Sequence, residues 1–190
     1  TPVIGGVGLI SKISKPINHN FKKINSIILI IGKTFGHLEQ SCFLKENYKI
    51  TEGLPPEINL SNEKNNGLVV LNLIRKNLVL SAHDISNGGI LISLSEMSIG
   101  SNLGVKIIKP KKLTNLFEYF FGEDQGRYLI EVSKNNLKNA ELSLKKNNIF
   151  YEIIAEVQND TFEIESLFSI KTKDLQICNN QWYNNFNAIN

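Results

Sequence analysis

An uninterrupted apolar run at positions 27–31, Ile-Ile-Leu-Ile-Ile, constrains the fold of this chain more than any other segment. Four of its five residues are β-branched, which is typical of a strand buried in a protein interior. A helix that spans a bilayer needs about 20 consecutive apolar residues, so this run is too short to cross a membrane. The run therefore predicts a buried strand in a soluble domain.

Composition limits both the size of the core and the class of partner. The chain has 190 residues, 42% of them hydrophobic, which is enough for one compact domain. Charged residues make up 21% and the net charge is +3, so the chain is not mainly a disordered, highly charged segment. The basic residues include only two arginines, Arg75 and Arg127. Because arginine usually carries the recognition of phosphates and bases, we expect no nucleic-acid partner.

Cysteine usage and the first residues indicate compartment and organisation. Cys42 and Cys178 lack metal-ligand spacing, which predicts free thiols in a reducing compartment. No secretory leader is visible, so we expect a cytoplasmic protein with no membrane partner. The sequence opens on Thr1-Pro2 without an initiator methionine, which indicates a piece of a longer polypeptide. The 25 asparagines and 26 isoleucines have AT-rich codons, so surface asparagines and lysines carry little functional weight.

Hydrophobic spacing predicts a mixed order of strands and helices. Besides 27–31, strands are expected at 3–10, 78–83, 103–108, 127–132 and 150–157. Residues 34–41 are expected to open a helix that runs through 43–44, and further helices are expected at 61–76, 90–98, 133–147 and 174–190. The predicted fold class is α+β, with helices packed on one mixed β-sheet.

Three helix predictions rest on named side chains. Leu91, Leu94 and Met97 recur at helical spacing and should face the sheet. Ser133 is placed to cap the helix that follows it. Trp182 is expected to anchor the C-terminal helix by packing.

A strand-to-helix turn at 83–89, His-Asp-Ile-Ser-Asn-Gly-Gly, is the first candidate site. A helix N-terminus presents unpaired N–H groups, and Gly88 and Gly89 let a ligand oxyanion approach the backbone. Ser86, Gly88 and Gly89 are therefore candidates for nucleotide binding. Asp84 offers a hard oxygen ligand and is the candidate Mg²⁺ ligand.

This turn also has a purely structural interpretation. Asp84, Ser86 or Asn87 would cap the helix, and the glycines would only permit close helix–sheet packing. His83, alone before an aspartate at a strand end, is more typical of a structural histidine than of a base.

The loop at 122–127, Gly-Glu-Asp-Gln-Gly-Arg, is the second candidate site. Glu123, Asp124, Gln125 and Arg127 together would bind a metal–phosphate group or a sugar hydroxyl. The alternative is a polar turn in which Arg127 pairs with Glu123 or Asp124, and spacing alone favours that alternative.

Two familiar ligand motifs are excluded. The Gly-Lys-Thr at 32–34 follows the strand directly and lacks the preceding glycine loop of a P-loop. His19, His37 and His83 show no zinc-type spacing with each other or with cysteine.

Several motifs occur in an order that resembles one known family. They are Thr-Pro-Val-Ile-Gly-Gly-Val-Gly at 1–8, Gly-His-Leu-Glu-Gln-Ser at 36–41, Ala-His-Asp-Ile-Ser-Asn-Gly-Gly at 82–89, Phe-Gly-Glu-Asp-Gln-Gly-Arg at 121–127 and Ala-Glu-Val at 155–157. Together they resemble the C-terminal portion of the synthetase subunit in the phosphoribosylformylglycinamidine synthase family, in its small bacterial form. The departures are Glu39, where the family usually has glycine, and the loosely matching 181–183.

The resemblance implies a fold and a place in a larger subunit. The family is similar to aminoimidazole ribonucleotide synthetase, selenophosphate synthetase and thiamine-phosphate kinase, whose members pair an N-lobe with a C-lobe. Residues 1–10 would be the last strand and linker of a preceding N-lobe. Residues 11–190 would be the second aminoimidazole ribonucleotide synthetase-like C-terminal domain.

The resemblance also implies a ligase of purine biosynthesis. The amide oxygen of formylglycinamide ribonucleotide is phosphorylated by ATP, and ammonia then displaces phosphate to give the amidine. ATP and Mg²⁺ are implied for the whole enzyme, and no cofactor is assigned to this chain. The implied partners are the remainder of the synthetase subunit, a glutaminase subunit that supplies ammonia and a small bridging subunit.

The same resemblance limits the role of this segment. The family's catalytic histidine and most ATP and Mg²⁺ ligands lie outside the part that this chain matches, so no catalytic residue is carried over and a scaffold role is expected. In the first C-lobe the counterpart of 123–125 contacts substrate and the counterpart of Asp84 binds metal. The internal pseudo-repeat therefore keeps these residues as ligand candidates.

Two other functions stay open. The chain would otherwise be a free-standing, non-catalytic binding or assembly lobe, or the C-lobe of a sister kinase or synthetase. The motifs at 36–41 and 122–127 argue against the sister enzymes.

Overall fold

The computed structural model describes residues 5–9, 16–110 and 115–188. Within them, strands and helices follow one another as β1 (Ile27–Ile31), α1 (Cys42–Tyr48), α2 (Leu60–Arg75), β2 (Ser81–Asp84), α3 (Gly89–Ile99), β3 (Gly104–Ile107), α4 (Leu116–Phe121), β4 (Tyr128–Val132), α5 (Lys134–Lys146), β5 (Tyr151–Gln158), β6 (Thr161–Ile164), β7 (Phe168–Lys171) and α6 (Thr172–Ala188).

These strands form one mixed sheet in the order β2-β4-β1-β5-β3-β6-β7. Strand β1 lies between β4 and β5 and pairs antiparallel with both. Strands β3 and β6 run parallel, with Val105 opposite Phe162. A mixed sheet covered by helices confirms the predicted fold class.

Strand β1 buries side chains on both faces of the sheet, which explains its uninterrupted apolar sequence. Ile28 and Ile30 pack into a core cluster with residues of α3, α4 and α6. Leu29 and Ile31 pack into a second cluster with residues of α2 and α5. Helices therefore cover both faces at the centre of the sheet.

Local sequence patterns predicted helices α3 and α5 correctly. Leu91, Leu94 and Met97 are buried on the sheet side of α3, as their spacing predicted. The Ser133 hydroxyl accepts a hydrogen bond from the Asn136 N–H and caps α5, which confirms that prediction. The left-handed φ of 54° at Asn148 follows the end of the same helix.

The C-terminal helix differs from its prediction. It begins at Thr172, and its first turns pack on the domain. Thr172 is buried, and Leu175 contacts the α3 cluster, which is the core cluster that contains the buried residues of α3. Trp182 is 67% exposed, so its predicted role as a packing anchor is wrong. The spacing of apolar residues identified the helix but not which of its turns meet the core.

Other segments also depart from expectation. Residues 5–9 have no strand and their side chains are exposed, whereas 3–4 and 10, the rest of the strand predicted at 3–10, lie outside the described residues. The short helix α4 and the last two strands of the sheet order, β6 and β7, were not predicted. Each has only four to six residues, too few for periodicity to identify.

A buried carboxylate fixes the segment that leads into β1. Glu131 of β4 is fully buried and accepts hydrogen bonds from the backbone N–H groups of Lys22 and Lys23. It also accepts bonds from the hydroxyls of Ser26 and Ser81. These four donors satisfy the carboxylate and bind residues 22–26 to the sheet.

Candidate functional site

The first candidate turn joins β2 to α3. Its N-cap is Gly88, at a left-handed φ of 79°, and no side chain of the turn caps the helix. The interpretation of Asp84, Ser86 or Asn87 as the cap is therefore wrong. The side chain of Ser86 is exposed, and its carbonyl accepts the Gly89 N–H.

Glu123, from the second candidate loop, caps this helix from a distance. Its Oε1 accepts the Gly88 N–H at 2.7 Å and the Cys42 N–H at 2.8 Å. Cys42 is the first residue of α1, so one carboxylate joins the N-termini of two helices. A negative group there also complements both helix dipoles. The two candidate sites are thus one structural unit.

Asp124 organises the loop that follows β1. Its carboxylate accepts the N–H groups of Phe35, Gly36 and His37 at 2.9–3.2 Å. The side chain is almost fully buried. Gly36 adopts a φ of 84°, which suits this turn around a single carboxylate.

Arg127 is fully buried and holds the same loop from the other side. Its Nε and Nη2 donate to the carbonyls of Asp124 at 3.0 Å and Gly122 at 2.6 Å. Its Nη1 donates to the Thr34 hydroxyl at 3.0 Å and lies 3.6 Å from Asp124 Oδ2. Burial lowers the pKa of the Arg127 guanidinium, and the Asp124 charge opposes that shift. The structure therefore contains the predicted pairing of Arg127 with Asp124.

Asp84 is one of the exposed members of the candidate set. Its side chain is 66% exposed, and its Oδ1 lies 3.2 Å from Nδ1 of His83. The other ring nitrogen of His83 lies 3.0 Å from Glu96 Oε2. The His83 ring therefore lies between two acidic side chains, one on β2 and one on α3. The His19 ring lies beside it, with centroids 5.1 Å apart.

A polar cleft of about 1120 Å³ opens beside the second loop. Of the predicted site residues, Asp124 and the exposed Gln125 line it. Glu39, the departure from the family pattern, also lines it and accepts the Leu54 N–H at 2.5 Å. Further walls come from the start of α2, including Asn59, and from the turn before β5. The cleft is large enough for a small polar ligand.

The residues of the first turn do not by themselves fit Mg²⁺–nucleotide. Across residues 5–9, 16–110 and 115–188, no three histidine, cysteine, aspartate or glutamate side chains converge to hold a metal ion. The N–H groups of Gly88 and Gly89, which a phosphate would need, already donate to Glu123 and Ser86. Asp84 alone presents a free carboxylate edge. The ligand roles of this residue set stay predictions.

Sequence reasoning missed the bridging role of Glu123. Cys42 and Gly88 lie 81 and 35 positions away from it, so no local spacing connects them. The signal in the sequence was that the loop contains two carboxylates, Glu123 and Asp124, but only one arginine, so one carboxylate needed other donors. The role of the Thr34 hydroxyl as an acceptor for Arg127 could not be predicted either, because the two residues lie 93 positions apart.

A family model described as "AIR synthase related protein, C-terminal domain" matches residues 25–165. The chain belongs to this family. The C-terminal-domain family model therefore confirms the fold that the motifs had implied. Its matched range includes both candidate loops, the second of which ends at the buried Arg127.

Two curated relatives of this AIR synthase-related domain carry the same name. The chain is 44% identical over 186 residues to the "Phosphoribosylformylglycinamidine synthase subunit PurL" of Pelagibacter ubique, covering 98% of the chain and 26% of the relative. It is 36% identical over 188 residues to the subunit of that name from Rhodopseudomonas palustris, covering 99% and 26%. The chain thus spans about a quarter of the length of these relatives.

Solved structures share the AIR synthase-related fold at low identity. Thermotoga maritima PurL complexed with FGAR matches with a TM-score of 0.69 and 20% identity, over 84% of the chain and 29% of that protein. Escherichia coli HypE, a hydrogenase maturation protein, matches with a TM-score of 0.57 and 18% identity, over 82% of the chain and 50% of that protein.

Among the helices of the described residues, none has the length and apolar character needed to cross a membrane.

Proposed function

We propose that this chain is the C-terminal part of the synthetase subunit of phosphoribosylformylglycinamidine synthase. The whole enzyme would convert formylglycinamide ribonucleotide and ammonia to formylglycinamidine ribonucleotide at the expense of ATP. The observation that carries the proposal is the 44% identity over 98% of this chain to a subunit of that name. The coverage of only 26% of that relative supports the view that most of the enzyme lies in other segments.

Within that enzyme the chain would act as scaffold. Glu123 Oε1, the Asp124 carboxylate and the Arg127 guanidinium form hydrogen bonds with backbone amides, carbonyls and one hydroxyl of the same domain. These contacts leave few groups for a ligand, which favours a supporting role over a catalytic one. Residues 1–10 would connect to the preceding lobe, and 11–190 would form the C-terminal domain.

ATP and Mg²⁺ would serve the reaction in the remainder of the subunit. A T. maritima structure is described as PurL complexed with ATP, and another as PurLQS, which supports a nucleotide-dependent enzyme with further subunits. For this protein we propose a glutaminase subunit as the source of ammonia and a small bridging subunit. We propose a cytoplasmic location for this complex.

Genetic complementation tests the proposal. The complete polypeptide that contains these 190 residues is expressed in a bacterial strain that requires purines because its own synthetase subunit is deleted. We expect growth without purines from the complete polypeptide, and none when residues 1–190 are deleted or expressed alone. Purified complete protein should form ADP only when formylglycinamide ribonucleotide and ammonium are both present.

The alternatives give different results. A coding sequence that starts at Thr1 would favour a free-standing binding or assembly lobe. ADP formation with a different phosphate acceptor, and no growth without purines, would favour a sister kinase or synthetase. Either outcome contradicts the proposed ligase.

A further inference from the structure

Helix α6 packs on the domain through its first turns and carries an apolar stripe beyond them. Thr172 is buried, Leu175 contacts the α3 cluster, and the Gln176 side chain donates to the Ile99 carbonyl at the end of α3. Trp182 lies seven positions after Leu175, which places it on the same side of the helix two turns later. The stripe that is packed at one end is therefore uncovered at the other.

The uncovered end is strongly exposed and aromatic. Trp182 is 67% exposed and Tyr183 is 54% exposed. Their rings contact each other edge to face, with centroids 5.7 Å apart. Adjacent exposed aromatic side chains on one helix are typical of an interaction surface rather than of a solvated face.

The charge pattern of α6 separates it from the solvent-exposed helices of this domain. From Leu175 to the end of the chain, 16 residues contain no charged side chain, although 21% of the whole chain is charged. Helix α5 provides the contrast, because Lys138, Glu141 and Lys145 surround its exposed Leu142. This part of α6 thus contributes no charged side chain whose loss of hydration would oppose contact with an apolar partner.

We propose that the Trp182–Tyr183 face docks against an uncharged, apolar surface elsewhere in the same longer polypeptide. This inference rests on the proposed function, because it requires that longer polypeptide. The relatives are about four times as long as this chain, so most of their length is available as the partner. A partner on the same polypeptide benefits from a high effective concentration.

The exposed area argues against a second copy as the occupant. Aromatic side chains bury about 150–250 Å² each, so Trp182, Tyr183 and Phe186, which are each more than half exposed on α6, together offer roughly 300–450 Å². A stable dimer needs about 800 Å² from each partner. A small patch suffices inside one polypeptide, where other contacts between the domains contribute as well.

Hydroxyl-radical footprinting of the complete polypeptide tests the inference. The oxidation rate of each residue in the folded protein is divided by its rate in the unfolded protein. We expect Trp182 and Tyr183 to be protected at least tenfold. Leu142 is the matched control, because it is 56% exposed on α5 and should stay reactive.

The outcomes distinguish this inference from the proposed function. Reactive Trp182 in a polypeptide that supports growth without purines overturns only the docking inference. Protected Trp182 in a polypeptide without ligase activity contradicts only the proposed function. Protection that is lost on dilution means that a second copy is the occupant, which also overturns the inference.

Discussion

Asp124 and Arg127 form an ion pair that solvent hardly reaches, with Oδ2 and Nη1 3.6 Å apart. The guanidinium also donates to the carbonyl of Asp124, so the pair is fixed by the backbone as well as by charge. Breaking a buried pair costs far more than breaking an exposed one, because the remaining charge loses its compensation. The loop that carries the pair is thus part of the core.

Replacing Arg127 should therefore destabilise the folded domain strongly. We expect Arg127→Leu to lower the free energy of unfolding by about 3–5 kcal/mol, measured by urea titration of the purified protein. The control is Arg75→Leu, because Arg75 is exposed in the last turn of α2 and its loss should cost less than about 0.5 kcal/mol. Equal losses for the two variants would refute the structural role.

Glu123 should matter as an acceptor more than as a charge. Glu123→Ala removes the acceptor for the Cys42 and Gly88 N–H groups and should cost about 1–3 kcal/mol in the free energy of unfolding. Glu123→Gln keeps an oxygen in place and should cost less than half as much. If both variants lose the same stability, the oxygen does not bridge the two helices.

The Cys42 thiol provides a pH readout of the same carboxylate. Partial burial raises the pKa of Cys42, and the nearby Glu123 charge raises it further. A raised pKa means less thiolate at a given pH, so the pH midpoint for alkylation of Cys42 should lie above that of an unperturbed cysteine. In Glu123→Gln the midpoint should fall, whereas alkylation of the exposed Cys178 should not change. An unchanged Cys42 midpoint would count against the contact.

Leu94 tests the position of α3 on the sheet. The side chain is fully buried, so Leu94→Ala should cost about 2–5 kcal/mol in the free energy of unfolding. Leu142→Ala on α5 is the control, with an expected cost below about 0.5 kcal/mol because that side chain is exposed. A small loss at Leu94 would mean that this face of α3 does not meet the sheet.

Asp84 separates a ligand site from a structural turn. Its side chain is largely exposed and does not cap α3, so Asp84→Asn should leave the melting temperature of the complete subunit unchanged. We expect Mg²⁺–ADP to shift the melting temperatures of wild type and variant equally. A shift in the wild type that shrinks in Asp84→Asn would make this residue a genuine metal ligand.

Local chemistry explains which parts of the fold could be predicted. The apolar run 27–31 and the cap at Ser133 depend on neighbouring residues, so sequence alone was sufficient for β1 and α5. The solvent exposure of Trp182 depends on how far the rest of the domain extends along α6. No pattern within the helix contains that information, and the packing prediction failed there.

The candidate site shows the same division. Sequence located both loops, because unusual clusters of glycine and acidic residues are visible in one dimension. It did not reveal that Glu123 joins the two loops, or that Glu131 binds residues 22–26. Both contacts cross long stretches of chain, so they arise only when the sheet has formed.

The central position of β1 has a consequence for synthesis on the ribosome. Leu29 pairs with Ile130 on one side and Ile153 on the other, so both neighbours are made long after the strand itself. At about 5–20 residues per second, the most apolar segment of the chain waits roughly 5–25 seconds for its partners. Throughout that interval it is an unpaired, uncharged strand of the type that aggregates. Successful production of this domain therefore depends on shielding residues 27–31 until translation has passed β5.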